Sequence, residues 1–209
     1  MGKVKIKKSD IWIDMTPMSD VMVLLLTFFM LTSTFVKNEP IKPLAPGSVS
    51  KIKVPEENVL NIYVDSVGKV FMSMDNQLEM RNVLSEFTGQ FGISLNEQQV
   101  ANFQKDPQWG VSKDILAQFL ELSDEVRSDE IKNRGIPTDS IEDAEGKKTM
   151  SEFQRWVKSA RNNNSDVKIA IKADARTPYS VIKNVMSELQ DMNENRYFLI
   201  TQYKIEEDQ

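Results

Sequence analysis

The sequence predicts an α+β protein in which a single N-terminal transmembrane helix precedes a small two-layer α/β domain with a helical insertion. Three patterns lead to this prediction: one long uncharged apolar run, alternating runs typical of strands, and helical spacing of apolar residues between them. The predicted parts are an N-terminal segment (1–16), a transmembrane helix (17–36), a proline-rich linker (37–57) and an α/β domain (58–205) whose insertion covers 76–147.

Composition limits the chemistry that the chain can perform. The 209 residues include no cysteine and no histidine, which excludes disulfides, thiolate metal sites and Ser-His-Asp catalysis. The formal net charge is −5, and no clustered basic face indicates a nucleic-acid surface. We therefore expect a protein that is not an enzyme and that uses no metal, no cofactor and no nucleic acid.

The apolar run has a well-marked start. Thr16 can cap a helix, and Pro17 suits the first helical position, where its missing N–H is not needed. No residue from Val21 to Val36 is charged. As a helix, residues 17–36 would extend about 30 Å, the thickness of a bilayer core. The pattern therefore predicts one membrane-spanning helix.

Flanking charges predict the orientation of this helix. Four lysines lie within residues 3–8, whereas Lys37 and Lys42 follow the helix beside Glu39. Because basic residues favour the cytoplasmic side, we expect a cytoplasmic N-terminus and a single-pass inner-membrane protein with residues 37–209 in the periplasm. One alternative is a cleaved signal peptide, although Pro17 interrupts its apolar region and no small-residue cleavage site follows. The other is a buried helix of a soluble domain, which the lysine flank disfavours.

A polar stripe runs along the predicted helix. Asp20, Thr27 and Thr34 are spaced by seven residues, so they share one face with a drift of only about 20° per step. An acid within a membrane helix is a functional-site hypothesis, because burial favours its neutral form and lets it exchange a proton near neutral pH. For the threonines, hydrogen bonding to the backbone or to neighbouring helices is the simpler interpretation. Asp14 is expected to lie near the N-terminal end of the helix, where the helix dipole stabilises a negative charge.

Four of the eight prolines lie in the linker, at Pro40, Pro43, Pro46 and Pro55. Such a segment is semi-rigid and extended. The alternating run 49–54 can also add as a strand to the sheet of a partner, but an ordinary extended linker is the simpler interpretation.

Beyond the linker, turn signals and periodicity define the α/β domain. Val59–Asp65 and Lys69–Met74 form a predicted hairpin that turns through Gly68. Further elements are predicted as helices at Thr149–Asn162 and from Thr177-Pro178 to about Met192, and as strands at Val167–Lys172 and Arg196–Ile205. In the insertion, helices are predicted at Leu78–Phe87, Asn96–Gln104 and Ser112–Arg134, the last with Ile115, Phe119, Leu122 and Val126 on one face. Trp109 and Trp156 are predicted core residues.

The stretch DMTPMSDVM, residues 14–22, resembles the signature of the ExbD/TolR family. In that signature a Thr-Pro pair stands two residues before an Asp-Val pair that opens an apolar helix, and Thr16, Pro17, Asp20 and Val21 match it. Residues 167–189 and the closing RYFLITQY are similar to the distal part of the family. The resemblance implies that Asp20 carries the proton and that Thr27 and Thr34 are polar positions facing the pore.

The resemblance also implies a function and partners. Family members are proton-channel subunits of inner-membrane energising complexes, which couple the proton motive force to TonB-dependent transport across the outer membrane. Implied partners are a second copy of the chain, an ExbB-like multi-spanning subunit expected as a pentamer, and a TonB-like protein. The insertion departs from the shorter middle of Ton-linked members, and it is either a docking surface or a decoration that covers the sheet.

Other functions stay open at this stage. One is a Tol-type use of the same complex. Another is a membrane-tethered envelope module that binds cell wall or a partner protein, in which Asp20 has only a structural role. A tethered hydrolase that uses carboxylates such as Asp174 is a third, but no carboxylate pair is evident.

Overall fold

The structure is a computed structural model and describes residues 14–32, 39–48, 58–139, 149–200 and 202–203. The chain divides into two compact units, residues 1–37 and residues 38–209.

The first unit contains one helix, α1 (Thr16–Thr32), of 17 residues. All of its residues are exposed in the isolated chain, and Asp20 is the one charged residue within it. Residues 33–36 of the predicted span lie outside the described residues. Among the helices that are described, none is both long enough and apolar enough to cross a membrane.

In the described residues of the second unit there are six strands and most of the helices. The strands are β1 (Gly47–Ser48), β2 (Val59–Val64), β3 (Val70–Met74), β4 (Lys168–Ala173), β5 (Tyr197–Ile200) and β6 (Gln202–Tyr203). The helices are α2 (Gln77–Phe91), α3 (Glu97–Lys105), α4 (Leu116–Glu121), α5 (Asp124–Glu130), α6 (Glu152–Asn163) and α7 (Tyr179–Asp191). Four strands form a sheet in the order β3-β2-β4-β5, and β1 pairs in parallel with β6. The mixed α+β fold is therefore confirmed.

The predicted hairpin is the antiparallel pair β2–β3, in which Leu60 lies opposite Met74 and Val64 opposite Val70. Gly68 turns the chain with a φ of +92°, a conformation that favours glycine. A Cβ atom at this position would lie 3.1 Å from a methyl group of Val181 in α7. Conformation and close packing therefore both require glycine at the turn.

The distal elements also follow the predictions. Helices α6 and α7 occupy the two segments predicted as helical, and β4 lies parallel to both β2 and β5. The closing segment, predicted as one strand over Arg196–Ile205, is instead two short strands that belong to different sheets. The change of partner, from β4 to β1, explains the division.

The insertion differs from its prediction in its last part. Helices α2 and α3 are present, but the single helix predicted over Ser112–Arg134 is wrong. That segment forms α4, α5 and a 3₁₀ turn at Ile131–Asn133. The helix breaks at Leu122 and Ser123, whose ψ angles are 157° and 156°. The break exposes the carbonyl oxygen of Leu122, which accepts a hydrogen bond of 2.6 Å from the buried guanidinium of Arg127.

The insertion is part of the core rather than an outer decoration. Phe87 of α2 stacks on Trp156 of α6, and both predicted core tryptophans are buried, at 3% exposed for Trp109 and 1% for Trp156. Trp109 also exchanges two backbone hydrogen bonds of 2.8 Å with Met72 of β3. These bonds cover the outer edge of β3, which would otherwise present unpaired backbone groups.

Part of the predicted linker lies on the second unit. We call residues 39–48 the strap. The side chain of Ile41 is buried in the core, the backbone of Leu44 is bonded next to the end of β4, and Gly47 pairs with Gln202. The strap is therefore attached to the domain, while the predicted strand-like run 49–54 lies outside the described residues.

Candidate functional site on helix α1

The first turn of α1 is capped by the acidic side chain of Asp14. The carboxylate of Asp14 accepts a hydrogen bond of 3.0 Å from the backbone N–H of Thr16 and a second one from the Thr16 hydroxyl. These bonds, the hydroxyl first, lower the pKa of Asp14 below its ordinary value. The negative charge lies at the positive end of the helix, as expected. The side chain that caps the helix is therefore that of Asp14, and not that of Thr16 as the sequence predicted.

The first turn explains why Pro17 is tolerated. The N–H of Ser19 bonds to the carbonyl of Met15 at 3.1 Å, and the Ser19 hydroxyl donates to the same carbonyl at 3.2 Å. Pro17 precedes this first helical bond, in the region where N–H groups have no partner within the helix. The proline therefore removes no helical bond.

Asp20 lies one turn further along the same face as Thr16. Its side chain is exposed, and within the described part of the chain no group donates a hydrogen bond to its carboxylate. The neighbouring positions are apolar except for Ser19. An acid with no internal donor can take up a proton or a hydrogen bond only from water or from another subunit.

Thr27 is bonded inside its own helix. Its hydroxyl lies 2.9 Å from the carbonyl oxygens of both Val23 and Leu24. Thr32 bonds in the same way to Phe28 at 2.8 Å. The hydroxyl hydrogen of Thr27 is thus used by the backbone, as the simpler interpretation predicted, and its oxygen remains an outward acceptor. Thr34 lies outside the described residues.

Asp20 and Thr27 lie in two separate, nearly flat parts of the exposed surface of α1. One is lined by Asp14, Thr16, Pro17, Ser19, Asp20 and Val23. The other is lined by Val21, Leu24, Leu25, Thr27, Phe28 and Leu31. Seven residues of helix separate Asp20 from Thr27 by about 10 Å, so they share a face but not a contact. A proton moving between them requires water or a group from a partner.

Asp174, the other carboxylate considered from the sequence, is held in place by hydrogen bonds from nearby residues. Its oxygens accept bonds from the Arg176 side chain at 3.1 Å, the Arg176 backbone at 2.9 Å and the Leu44 backbone at 3.1 Å. These bonds, led by that of the Arg176 side chain, lower the pKa of Asp174 to about 2. An acid so strongly held in its ionised form is a poor general acid. In the described residues, no cluster of acids is arranged to hold a metal ion.

Sequence reasoning missed two side chains that position the strap. Gln108 of the insertion and Asp174 of the loop after β4 both bond to strap backbone. The one available signal was the Asp174-Ala-Arg176 turn, which the distal similarity included. Nothing in the sequence near Gln108 points to the strap, because 67 positions separate Gln108 from Ile41.

Comparison with known proteins adds one finding. The family model described as "Biopolymer transport protein ExbD/TolR" matches residues 7–203. The matched range includes α1, the strap, the insertion and all six strands. No curated protein and no solved structure matches the chain.

Proposed function

The chain belongs to the ExbD/TolR family, and we propose that it is the proton-carrying stator subunit of an ExbB-ExbD-like complex in the bacterial inner membrane. In this proposal the complex couples the proton motive force to TonB-dependent transport across the outer membrane. Family membership itself implies a membrane-associated role in energising biopolymer transport. The proton-carrying role, the complex and the coupling to a TonB-like protein are the proposed part.

We propose that residues 17–36 cross the membrane once, with the N-terminus in the cytoplasm and residues 37–209 in the periplasm. The exposed surface of α1 supports this placement. A helix that is apolar over most of its surface is stable when lipid or other helices surround it, and every residue of α1 is exposed in the isolated chain. The lysines within residues 3–8 favour the cytoplasmic side for the N-terminus.

The observation that carries the proposal is the setting of Asp20. Among the described residues, none donates a hydrogen bond to this carboxylate, which lies on an otherwise uncharged helix. A charge at the centre of a membrane helix costs about 3 kcal/mol on insertion scales, so protonation changes how well the helix fits its surroundings. Alternating protonation and ionisation can therefore move the helix relative to its partners.

The proposal assigns the surroundings of Asp20 to partner subunits. Two copies of α1 lie inside a pentamer of an ExbB-like multi-spanning protein, which supplies water or polar groups to the stripe. Thr27 accepts hydrogen bonds along this path, and Thr34 continues it. The periplasmic unit transmits the resulting motion to a TonB-like protein.

The test compares Asp20→Asn with Asp20→Glu in cells that depend on the complex for uptake. Asparagine keeps the size of the side chain but cannot ionise, so we expect uptake to be lost while complex assembly, measured by co-purification, persists. Glutamate keeps the ionisable group and should retain part of the uptake. Thr32→Val is the matched control, since it removes a polar group of α1 away from the stripe. Uptake by the Asp20→Asn protein at the unmodified level would contradict the proton role.

A second candidate is a Tol-type or other membrane-tethered envelope module that binds cell wall or a partner protein, with Asp20 only structural. The insertion favours it, because its helices join the core of the second unit and also carry exposed polar side chains, as on α2 and α5. This candidate predicts that Asp20→Asn retains function. It also predicts that the full-length protein co-sediments with isolated cell-wall sacculi and that disrupting the second unit abolishes both the co-sedimentation and the function.

A further inference from the structure

The strap is bonded to the second unit at three residues, Ile41, Leu44 and Gly47, which we call its anchors. One side chain of the insertion holds the first anchor. Gln108 Oε1 accepts a 2.9 Å bond from the Ile41 N–H, and Gln108 Nε2 donates a 2.8 Å bond to the Ile41 carbonyl. A single amide thus satisfies both backbone groups of one residue, as the neighbouring strand of a sheet would. Gln108 is 1% exposed and Ile41 7% exposed. The contact is therefore a buried clamp.

Two more anchors follow at intervals of three residues. The Leu44 N–H donates to Asp174 Oδ2 at 3.1 Å, and the Leu44 carbonyl accepts a 2.8 Å bond from the Ala175 N–H. At the third anchor, Gly47 pairs with Gln202 as β1 pairs with β6. Anchors spaced by three residues match the three-residue repeat of a polyproline II segment.

The prolines of the strap explain this spacing. Each anchored residue directly follows a proline, in the pairs Pro40-Ile41, Pro43-Leu44 and Pro46-Gly47. Proline has no N–H and favours an extended backbone, so the prolines bring no donor that needs a partner on the domain, and the next residue forms the bonds. They also restrict the undocked strap, which lowers the entropy lost when it docks.

The strap is nevertheless weakly buried. Ile41 is the one strap side chain in the core, whereas Leu44 is 58% exposed and Lys42 is exposed as well. Docking therefore removes little apolar surface from water and depends mainly on a few backbone hydrogen bonds, each of modest net strength. Loss of the buried clamp should weaken the whole attachment.

The insertion holds the clamp in place through an ion pair. Asp106, two residues before Gln108, receives two bonds of 2.9 Å from the guanidinium of Arg127 in α5. Arg127 is 1% exposed and also bonds to Asp124 and to the Leu122 carbonyl. The broken helix of the insertion thus positions the loop that carries Gln108.

We propose that the insertion is a clamp that sets the length of the tether between α1 and the second unit, with Gln108 holding the strap docked and its release lengthening the tether. While the strap is docked, residues 39–48 are held on the second unit. When the strap is released, these ten residues can add about 30 Å to the tether at the rise of a polyproline II segment. The partner of the clamp is thus a named segment of this chain, and the device does not depend on proton uptake by Asp20.

Hydrogen exchange of the full-length protein in detergent or nanodiscs tests the clamp. In Gln108→Ala we expect the amides of Ile41 and Leu44 to exchange at least tenfold faster, with strands β2 and β4 unchanged. Gln90→Ala is the matched control, because Gln90 also donates a hydrogen bond from its side-chain amide, to Ser159 Oγ at 3.2 Å, but between α2 and α6 rather than to the strap. Unchanged exchange at Ile41 in Gln108→Ala would overturn the proposal. A general increase that includes β2 and β4 would do the same, since Gln108 would then support the core instead.

A distance measurement provides an independent readout. The chain has no cysteine, so spin labels can be attached at Leu44→Cys and Tyr179→Cys, two exposed positions within the second unit. We expect one narrow distance distribution in the labelled parent protein, and an added broad component at longer distance when Gln108→Ala is introduced. A distribution that stays narrow would show that the strap remains docked without the clamp and would overturn the proposal.

Discussion

Phe87 and Trp156 lie face to face in the core of the second unit, with ring centroids 3.8 Å apart and ring planes 10° apart. Phe87 belongs to the insertion, and Trp156 belongs to the helix that leads into the central strand β4. Phe103 of the insertion also stacks in parallel with Trp156, at 6.0 Å. The insertion and the surrounding α/β domain therefore share one core and are expected to fold as one unit.

The shared core predicts that Phe87→Ala destabilises the whole second unit. Removing a fully buried phenylalanine leaves a cavity beside Trp156 and should lower the free energy of unfolding by about 3–5 kcal/mol. Denaturant unfolding followed by tryptophan fluorescence measures this change. Leu78→Ala is the control on the same helix, since Leu78 is 74% exposed and its loss should change stability by less than about 0.5 kcal/mol. A small effect of Phe87→Ala would show that the insertion is packed independently.

We expect alanine substitutions at two glycines of the insertion to have opposite effects on stability. A Cβ atom at Gly110 would overlap the ring of Phe71, whereas one at Gly89 would meet no atom within 4 Å. We expect Gly110→Ala to destabilise by about 1–3 kcal/mol through overpacking. Gly89→Ala lies on the exposed side of helix α2 and should stabilise by about 0.5–1 kcal/mol. Thermal unfolding of both variants checks the sign, and equal effects would contradict the close approach of Gly110 to Phe71.

The elements that the sequence predicts correctly are those that depend on local signals. The β2–β3 hairpin has short, mainly apolar runs on both sides of Gly68, and glycine suits the positive φ of that turn. Helices α6 and α7 have apolar residues at helical spacing and a capping serine or a proline at their start. In these segments, local preference and tertiary packing agree.

The failures arise where a distant residue decides the outcome. Leu122 and Val126 continue a helical spacing, yet Arg127 binds the Leu122 carbonyl and Asp106 across 21 positions, which favours the break. The backbone of Ile41 is likewise bonded to Gln108, 67 positions further along the chain. Neither type of contact leaves a periodic pattern in the sequence. On α1, by contrast, the sequence predicted both the shared face of Asp20 and Thr27 and the bonding of Thr27 to its own backbone.

The acidic cap predicts that Asp14→Asn loosens the first turn of α1 without abolishing the helix. Asparagine still accepts a bond from Thr16 but carries no charge at the positive helix end. Since the bonds to Thr16 lower the pKa of Asp14, the charged contact is present above the ordinary pKa and is lost as the pH falls through the lowered value. We expect faster amide exchange at Thr16 and Ser19 in the variant at neutral pH. The difference from the parent protein should shrink in acid, and a difference that is independent of pH would contradict the charged cap.

The setting of Asp174 predicts a second acid dependence, in the second unit. Its pKa is about 2 against an ordinary value of 3.8. A carboxylate with a lowered pKa contributes stability above its unfolded pKa and loses it as the pH falls through the folded value. Asp174→Asn should therefore lower the unfolding midpoint at pH 7, and the difference should vanish between about pH 4 and pH 2. Asp166→Asn, at an exposed position near β4, is the control for the removal of one surface charge.

The bonds of Thr27 predict how much of the proposed proton path it supports. Because its hydroxyl hydrogen bonds to the carbonyls of Val23 and Leu24, Thr27 can serve the path only as an acceptor. Thr27→Ser keeps the hydroxyl, so uptake should be close to that of the parent protein. Thr27→Val keeps the shape of the side chain but removes the acceptor. The loss of one hydrogen bond should lower uptake roughly five- to tenfold, whereas Asp20→Asn should abolish it. Uptake assays with all three variants at matched expression measure this order. Complete loss in Thr27→Val would mean that the hydroxyl donates a proton in the working complex, in which case its bonds to Val23 and Leu24 must break there.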